Sequence, residues 1–338
     1  MSTVLVARLD SDGDVLISGP AVRAVAAGAD RVVLLCGPRG AAAARLLPGV
    51  DEVVVWHCPW IDAQPQPVVP ALVEALVGRL RGLRIDRAMV LTSFHQSPLP
   101  LALLLRLAGI AWIGAASEDY PGTLLDLRHR LPDSGLHEVE RQLSLALAAG
   151  YPSDGTALAV RRPLRDTADL TPEAPYLVVH PGASVPSRAP SPAWMVRAVG
   201  ALVGAGHRVV VTGGPDEAAL TARVAGTQAT DLGGRTDLAE LADVLDRAAC
   251  VVIGNTGPAH LAAAVGTPVV SLFAPVVPAE RWRPWGVPHV LLGNQAASCA
   301  GTRAQTCPVA GHPCLDSLDP GLVVGAVAAL TRSLEAAR

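Results

Sequence analysis

Residues 254–275 read GNTGPAHLAAAVGTPVVSLFAP. The run before them, residues 250–253 (CVVI), is apolar and β-branched and suits a buried strand. Asn255, Thr256, Gly257 and Pro258 are turn chemistry. Pro258 fits the first helical position, where its missing N–H costs nothing. His260, Leu261 and the alanines after them make a small-faced helix that ends at Gly266, and Pro268 opens the next strand. A glycine turn feeding a helix start aims unpaired N–H groups and the positive end of a dipole at one point. Such an arrangement binds phosphate. The Thr256 hydroxyl and the His260 imidazole stand at the same place, so this turn reads as the seat of a nucleotide diphosphate. A lone histidine beside a helix start can also be purely structural.

The rest of the chain supports a frame for that turn. Its 338 residues predict two domains. Half are hydrophobic and 17% are charged, which is ample for two cores. A net charge of −3 argues against a nucleic-acid reader. All 27 basic residues are arginine, which removes Schiff-base chemistry and any Walker-type phosphate lysine. No export signal is visible in residues 1–14, where Arg8 and acids fall within one strand length. The longest apolar run, residues 99–116, is broken by Arg106 and Gly109, so no transmembrane segment is expected. Six cysteines are too sparse for a disulfide scaffold. Cys299, Cys307 and Cys314 lack the spacing of zinc pairs and read as structural. The chain is expected to be cytoplasmic, with contact at the inner face of the cytoplasmic membrane as an option.

Strands and helices alternate along both halves. Strands are expected at residues 4–9, 31–36, 52–57, 87–92 and 111–114. Helices are expected at 15–27 (with a break at Pro20), 40–47, 68–83, 99–108 and 135–149. Residues 118–132 show no period and read as a long loop. Residues 151–175 are rich in Pro, Asp and Thr and hold the domain boundary. The pattern restarts at 176–180 and ends in a helix over 320–337. Such alternation implies parallel sheets covered on both faces. The predicted class is α/β: two doubly wound, Rossmann-like domains facing across a cleft. Their bounds are 1–160 and 176–338, with a linker over 161–175. The last helix is a candidate to pack back on the first domain.

Ligands of parallel sheets bind beyond the carboxyl ends of the strands. Four more turns fall there. The first, Asp10 to Asp14 (DSDGD), lacks a dinucleotide fingerprint, and Asp14 reads as a helix cap or as a functional acid. The second holds Ser184, Ser187 and Arg188, two hydroxyls and a permanent cation suited to phosphate oxygens. The third, GGPDE at 213–217, carries Glu217, a ribose acceptor or a capping group. The fourth, GGRT at 233–236, offers backbone around Thr236 to a base.

Together these residues resemble glycosyltransferase family 9, the ADP-heptose:lipopolysaccharide heptosyltransferases, over nearly the whole length. The resemblance rests on NTGPAHL with Gly266, Pro268 and FAP at 273–275, on PGASVPSR at 181–188, and on Gly13-Asp14 with Pro20. It also covers TGGPDE at 212–217, LGGRTDLAEL at 232–241 and Trp282-x-Pro284-x-Gly286. It implies a GT-B fold and an inverting, cofactor-free transfer from a nucleotide-sugar donor, an ADP-sugar. The acceptor would be a glycan or glycolipid hydroxyl held by the first domain. By that resemblance Asp14 is the general base. Ser184, Ser187 and Thr256 bind phosphate oxygens with Arg188 in place of a lysine, Glu217 binds ribose, and the Thr236 backbone meets adenine. The helix start at Gly257 stabilises the leaving diphosphate. Asn255 stands where the family has aspartate, which points to a changed donor sugar. Two other readings stay open: an epimerase or hydrolase on the same fold, and a non-catalytic nucleotide-sugar binder.

Overall fold

A computed structural model describes residues 2–62, 64–131 and 135–336. Met1, Pro132, Ala337 and Arg338, which bound expectations above, lie outside the described residues. The chain divides into two compact units, Met1–Arg161 and Arg162–Arg338. The division falls between two arginines that face opposite ways. Arg161 donates from its backbone to Leu46 O (2.7 Å) and from Nε to Leu47 O (3.0 Å), both in the first unit. Arg162 grips Asp246 of the second unit through both terminal nitrogens, at 3.2 and 2.6 Å.

In the first unit six strands form one parallel sheet: β1 (Thr3–Arg8), β2 (Arg31–Cys36), β3 (Glu52–Val55), β4 (Arg87–Val90), β5 (Trp112–Ala116) and β6 (Leu127–His129). Their order is β3-β2-β1-β4-β5-β6. The helices are α1 (Asp12–Ile17), α2 (Gly19–Gly28), α3 (Ala41–Leu46), α4 (Pro70–Gly82), α5 (Leu99–Leu107) and α6 (Glu138–Ala148). In β1 and β2 every residue after the first is buried, as expected of strands covered on both faces. The helix expected over 15–27 is two helices meeting at Ser18. Pro20 falls in the first turn of α2, where it needs no N–H partner. The segment expected to be all loop, residues 118–132, contains β6, which pairs in register with Gly114–Ala116 of β5. Three residues are too few to show a period.

The second unit repeats the plan. Its strands are β7 (Leu177–His180), β8 (Val209–Val211), β9 (Thr230–Asp231), β10 (Cys250–Gly254), β11 (Val269–Leu272) and β12 (His289–Leu292). They lie parallel in the order β12-β11-β10-β7-β8-β9. The helices are α7 (Pro192–Gly204), α8 (Ala218–Ala225), α9 (Leu238–Asp246), α10 (Gly257–Val265), α11 (Ala279–Trp282), α12 (Pro313–Asp316) and α13 (Gly321–Ala336). The core is aliphatic around Trp194, which is fully buried and donates its indole N–H to Leu318 O at 2.8 Å. The last helix, α13, packs on α7, β10, β11 and β12 of its own unit. All six cysteines are free thiols.

The strand orders position the sites. In each unit the first strand lies between the second and the fourth, so the order reverses between β1 and β4 and again between β7 and β10. At such a reversal the loops leaving the two strands depart to opposite faces and leave a crevice at the carboxyl ends. The turns singled out in the sequence at Asp10–Asp14, at residues 181–188 and at residues 254–260 all leave one of these four strands.

Candidate active site

In the first unit the crevice is organised by a charge no sequence pattern revealed. Arg8, the last residue of β1, is fully buried. A buried guanidinium demands partners. It donates to Asp14 Oδ1 at 2.8 Å and to Ser93 Oγ, just beyond β4, at 2.8 Å. Its Nε lies 3.1 Å from Asp10 Oδ2. Asp10 in turn accepts from Gln96 Nε2 at 2.5 Å. The β1 and β4 loops are thus tied across the switch point through one cation. Glu138, the first residue of α6, is also fully buried beside this group and accepts from Gln142 at 3.1 Å.

Asp14 takes the capping position that was one of the two readings given to it. It is the third residue of α1 and closes a capping box with Ser11, so the cap is real. Its Oδ2 accepts from the Ser11 hydroxyl at 2.8 Å. Its side chain keeps 19% of its surface exposed, so the carboxylate still reaches solvent. Burial pushes its pKa up, but Arg8 and the Ser11 hydrogen bonds outweigh that and hold it below the usual aspartate value. Asp10 and Glu138 go the other way: burial raises both, only partly opposed by Arg8. Of the three acids, Asp14 is the one whose ionised form the surroundings favour over burial.

In the second unit two loops meet at the β7–β10 reversal. Gly254 ends β10, and a Cβ there would stand 2.7 Å from the carbonyl oxygen of Arg188. Glycine at this position lets the Arg188 loop lie directly on the strand end. Thr256 is the N-cap of α10, yet its hydroxyl caps nothing. Pro258 sits in the first turn, and Gly266 closes the helix in a left-handed conformation at φ 91°. His260 is buried within α10, and Asn255 is buried at the end of β10 with 5% exposure. Ser184 is exposed on the β7 loop.

Ser187 departs from its expected role. It is buried, and its hydroxyl donates to Ala304 O at 2.6 Å while its N–H donates to Gln305 O at 3.1 Å. A hydroxyl has one proton, and this one is engaged in anchoring the loop rather than facing a phosphate oxygen. Glu217 is also held. Its Oε2 accepts from Gly214 N at 2.8 Å, which is the capping role weighed for it. Its other oxygen lies over Gly182, 1.8 Å from where a Cβ would stand. Thr236 is half-buried in the turn that follows β9, where Gly234 N donates to Gly213 O at 2.9 Å and joins the third and fourth turns.

His180, the last residue of β7, stands at the same switch point and was passed over by the sequence reading. It is buried, with Nδ1 3.1 Å from the Thr212 hydroxyl and Nε2 3.8 Å from Glu217 Oε2. Burial pushes its pKa down, with Glu217 pulling back, so the ring is neutral near pH 7. A histidine at a strand end, followed by a glycine loop, was the available signal.

Comparison with known proteins places this geometry. The E. coli ADP-heptose LPS heptosyltransferase II superposes with a TM-score of 0.77 at 19% identity, covering 99% of this chain and 100% of that one. A glycosyl transferase family 9 protein from Veillonella parvula superposes at 0.78 with 15% identity, over 98% and 97%. Two Rossmann-like units in tandem with these neighbours define the GT-B class of fold. The family model described as glycosyltransferase family 9 (heptosyltransferase) matches residues 73–312. The chain belongs to glycosyltransferase family 9. Lipopolysaccharide heptosyltransferase 3 of Escherichia coli K12 is 31% identical over 170 residues. That match spans 46% of this chain and about half (49%) of the relative.

Proposed function

We propose that the protein is an inverting glycosyltransferase that moves a heptose or a related sugar from an ADP-sugar to an acceptor hydroxyl of a glycan or glycolipid. One observation carries the reading: each unit has a built switch-point site, an ionised acid held by a buried arginine in the first and an uncapped helix start beside the Arg188 loop in the second. In the first unit Asp14, kept ionised by Arg8, takes the proton of the acceptor hydroxyl as its oxygen attacks the anomeric carbon. The bond from that carbon to the diphosphate breaks, and its electron pair leaves on the phosphate oxygen. In the second unit the start of α10 at Gly257, the Thr256 hydroxyl and the Arg188 guanidinium receive that negative charge. Ser184 is assigned to the same phosphates, Glu217 to the ribose through its remaining oxygen, and the Thr236 backbone to the base. Asn255 is assigned to the donor sugar, where its amide both donates and accepts.

With Arg188 and a helix start neutralising the leaving group, the transfer is assigned no metal cofactor. The family membership favours transfer over the epimerase, hydrolase and binding-only readings. No described helix is long and apolar enough to cross a membrane. A peripheral meeting with a glycolipid at the inner face of the membrane is the proposed setting.

The test is transfer from ADP-heptose by the purified protein, with the anomer of the product read by NMR. Base catalysis contributes about 10²–10⁴-fold, so Asp14→Ala is expected to lower kcat by that factor while ADP binding persists. Transfer that survives Asp14→Ala, or a product of retained configuration, would overturn the mechanism. Chelators are expected to leave the rate unchanged.

A further inference from the structure

The first unit carries a hollow that the chemistry above does not use. It is a hollow of about 210 Å³, open to solvent on one side. Its walls are residues 94–98 beyond β4, residues 116–119 beyond β5, and Arg141 of α6. Gln96 belongs to this wall and also donates to Asp10, so the hollow adjoins the Arg8–Asp14 network.

The lining is chemically uneven. Glu118 and Asp119 are both exposed at its edge. Their loop is held by its own backbone contacts: Ser117 Oγ donates to Asp119 O at 3.0 Å, and Arg128 donates to Ser117 O at 3.1 Å and to Glu118 O. The main chain of this loop is thus held in place, and the Asp119 carboxylate accepts from Ser97 Oγ at 3.4 Å. Phe94 faces the hollow with 36% of its surface exposed, and Tyr120, next after Asp119, is 84% exposed. Arg141 is the only permanent cation among the described lining residues, and its Nε lies 3.8 Å from Glu138. Beyond that wall stand Asp10 and Asp14 with Arg8.

We infer that this hollow is the acceptor seat, and that it selects a neutral, hydroxyl-rich sugar over one bearing phosphate or carboxylate. The inference rests on the transferase reading above. Exposed carboxylates on neighbouring residues accept hydrogen bonds from sugar hydroxyls, and charge strengthens such bonds. An exposed aromatic face covers the C–H side of a pyranose ring. An anionic acceptor would meet Glu118 and Asp119 first, with one cation already facing a carboxylate. Like-charge juxtaposition of this kind rejects a partner.

The experiment uses the whole protein and ligand-observed NMR titrations with two probe sets: neutral methyl pyranosides, and the 6-phosphates of the same sugars. ADP is titrated in parallel as the probe of the second unit. At least one methyl pyranoside is expected to bind about 10-fold tighter than its phosphate. Asp119→Ala and Glu118→Ala are expected to weaken that binding about 10-fold and to leave ADP binding and Tm unchanged. Asp119→Arg is expected to invert the preference. Phosphates that bind the wild type as tightly as the neutral sugars would overturn the inference, as would alanine variants that bind the neutral sugars unchanged. Binding of ADP without any neutral pyranoside would sink the acceptor assignment alone. Failure to bind ADP would sink the transferase reading beneath it.

Discussion

Arg8 sits with no exposed surface among three carboxylates, and it sets the chemistry of all of them. Removing it leaves buried acids without a counter-charge, so Arg8→Met is expected to destabilise the fold by about 3–5 kcal/mol, read from the urea midpoint. Asp14 supplies a milder test. Its pKa is lowered in the fold, so its contribution to stability is complete above the ordinary aspartate value and is lost as pH falls through the lowered one. The loss caused by Asp14→Asn should therefore be full at neutral pH and shrink on acidification. Asp10 and Glu138, raised by burial, act with the opposite sign and regain stability as they protonate. If Asp14 is the base, the acid limb of kcat/KM should fall below about 3.9, the ordinary aspartate value. Ser11→Ala removes a hydrogen bond to the ionised carboxylate and should move that limb upward. Asp14 itself was legible as a charged residue at a helix start after a strand. Arg8 was not, because its partner Ser93 lies 85 residues away and an arginine inside an apolar strand looks like a solvated edge. His180 was missed for the same reason: Thr212 and Glu217 reach it only once β7 and β8 are paired.

The glycine turns are the elements that join loop to strand. At Gly254 a methyl group would meet the Arg188 carbonyl backbone, and at Gly182 it would meet the Glu217 carboxylate. Backbone cannot rotate away as a side chain can. Gly254→Ala is therefore expected to shift the Arg188 loop and weaken ADP binding in calorimetry, at an overpacking cost of about 1–3 kcal/mol. Gly182→Ala should do less to the loop and more to Glu217. Long strands and helices announced themselves because buried β-branched runs and small-faced helices have clear periods. The three-residue β6 and the four-residue α11 and α12 had no period to read. Ser187 shows the limit at this scale. A hydroxyl in a phosphate-type turn looks like a ligand until its acceptor, the carbonyl of Ala304, folds in from far along the chain.

At the scale of the molecule, the two sites belong to separate units, and a ligand for one need not order the other. ADP at 100 times its Kd should stabilise its unit by about 2.7 kcal/mol. Hydrogen exchange should then slow at residues 181–188, 213–217 and 254–260, and be unchanged at residues 10–14. Protection at residues 10–14 instead would place the nucleotide in the wrong unit. The common strand order has a further consequence, in time rather than in space. Each sheet begins with its central strand: β1 pairs with β4, in the register Val4↔Arg87, and β7 pairs with β10, as Leu177↔Cys250. Neither central strand can complete its pairing until about half of its unit has been synthesised. At about 5–20 residues per second, Arg8 leaves the ribosome several seconds before Ser93 can receive its charge. The nascent chain carries that arginine, and the acids around it, in water. The crevice at β1 thus stays open until β4 and Ser93 have emerged, and a chain cut before Ser93 would hold every residue of the β1 turn without the partner that ties it to β4.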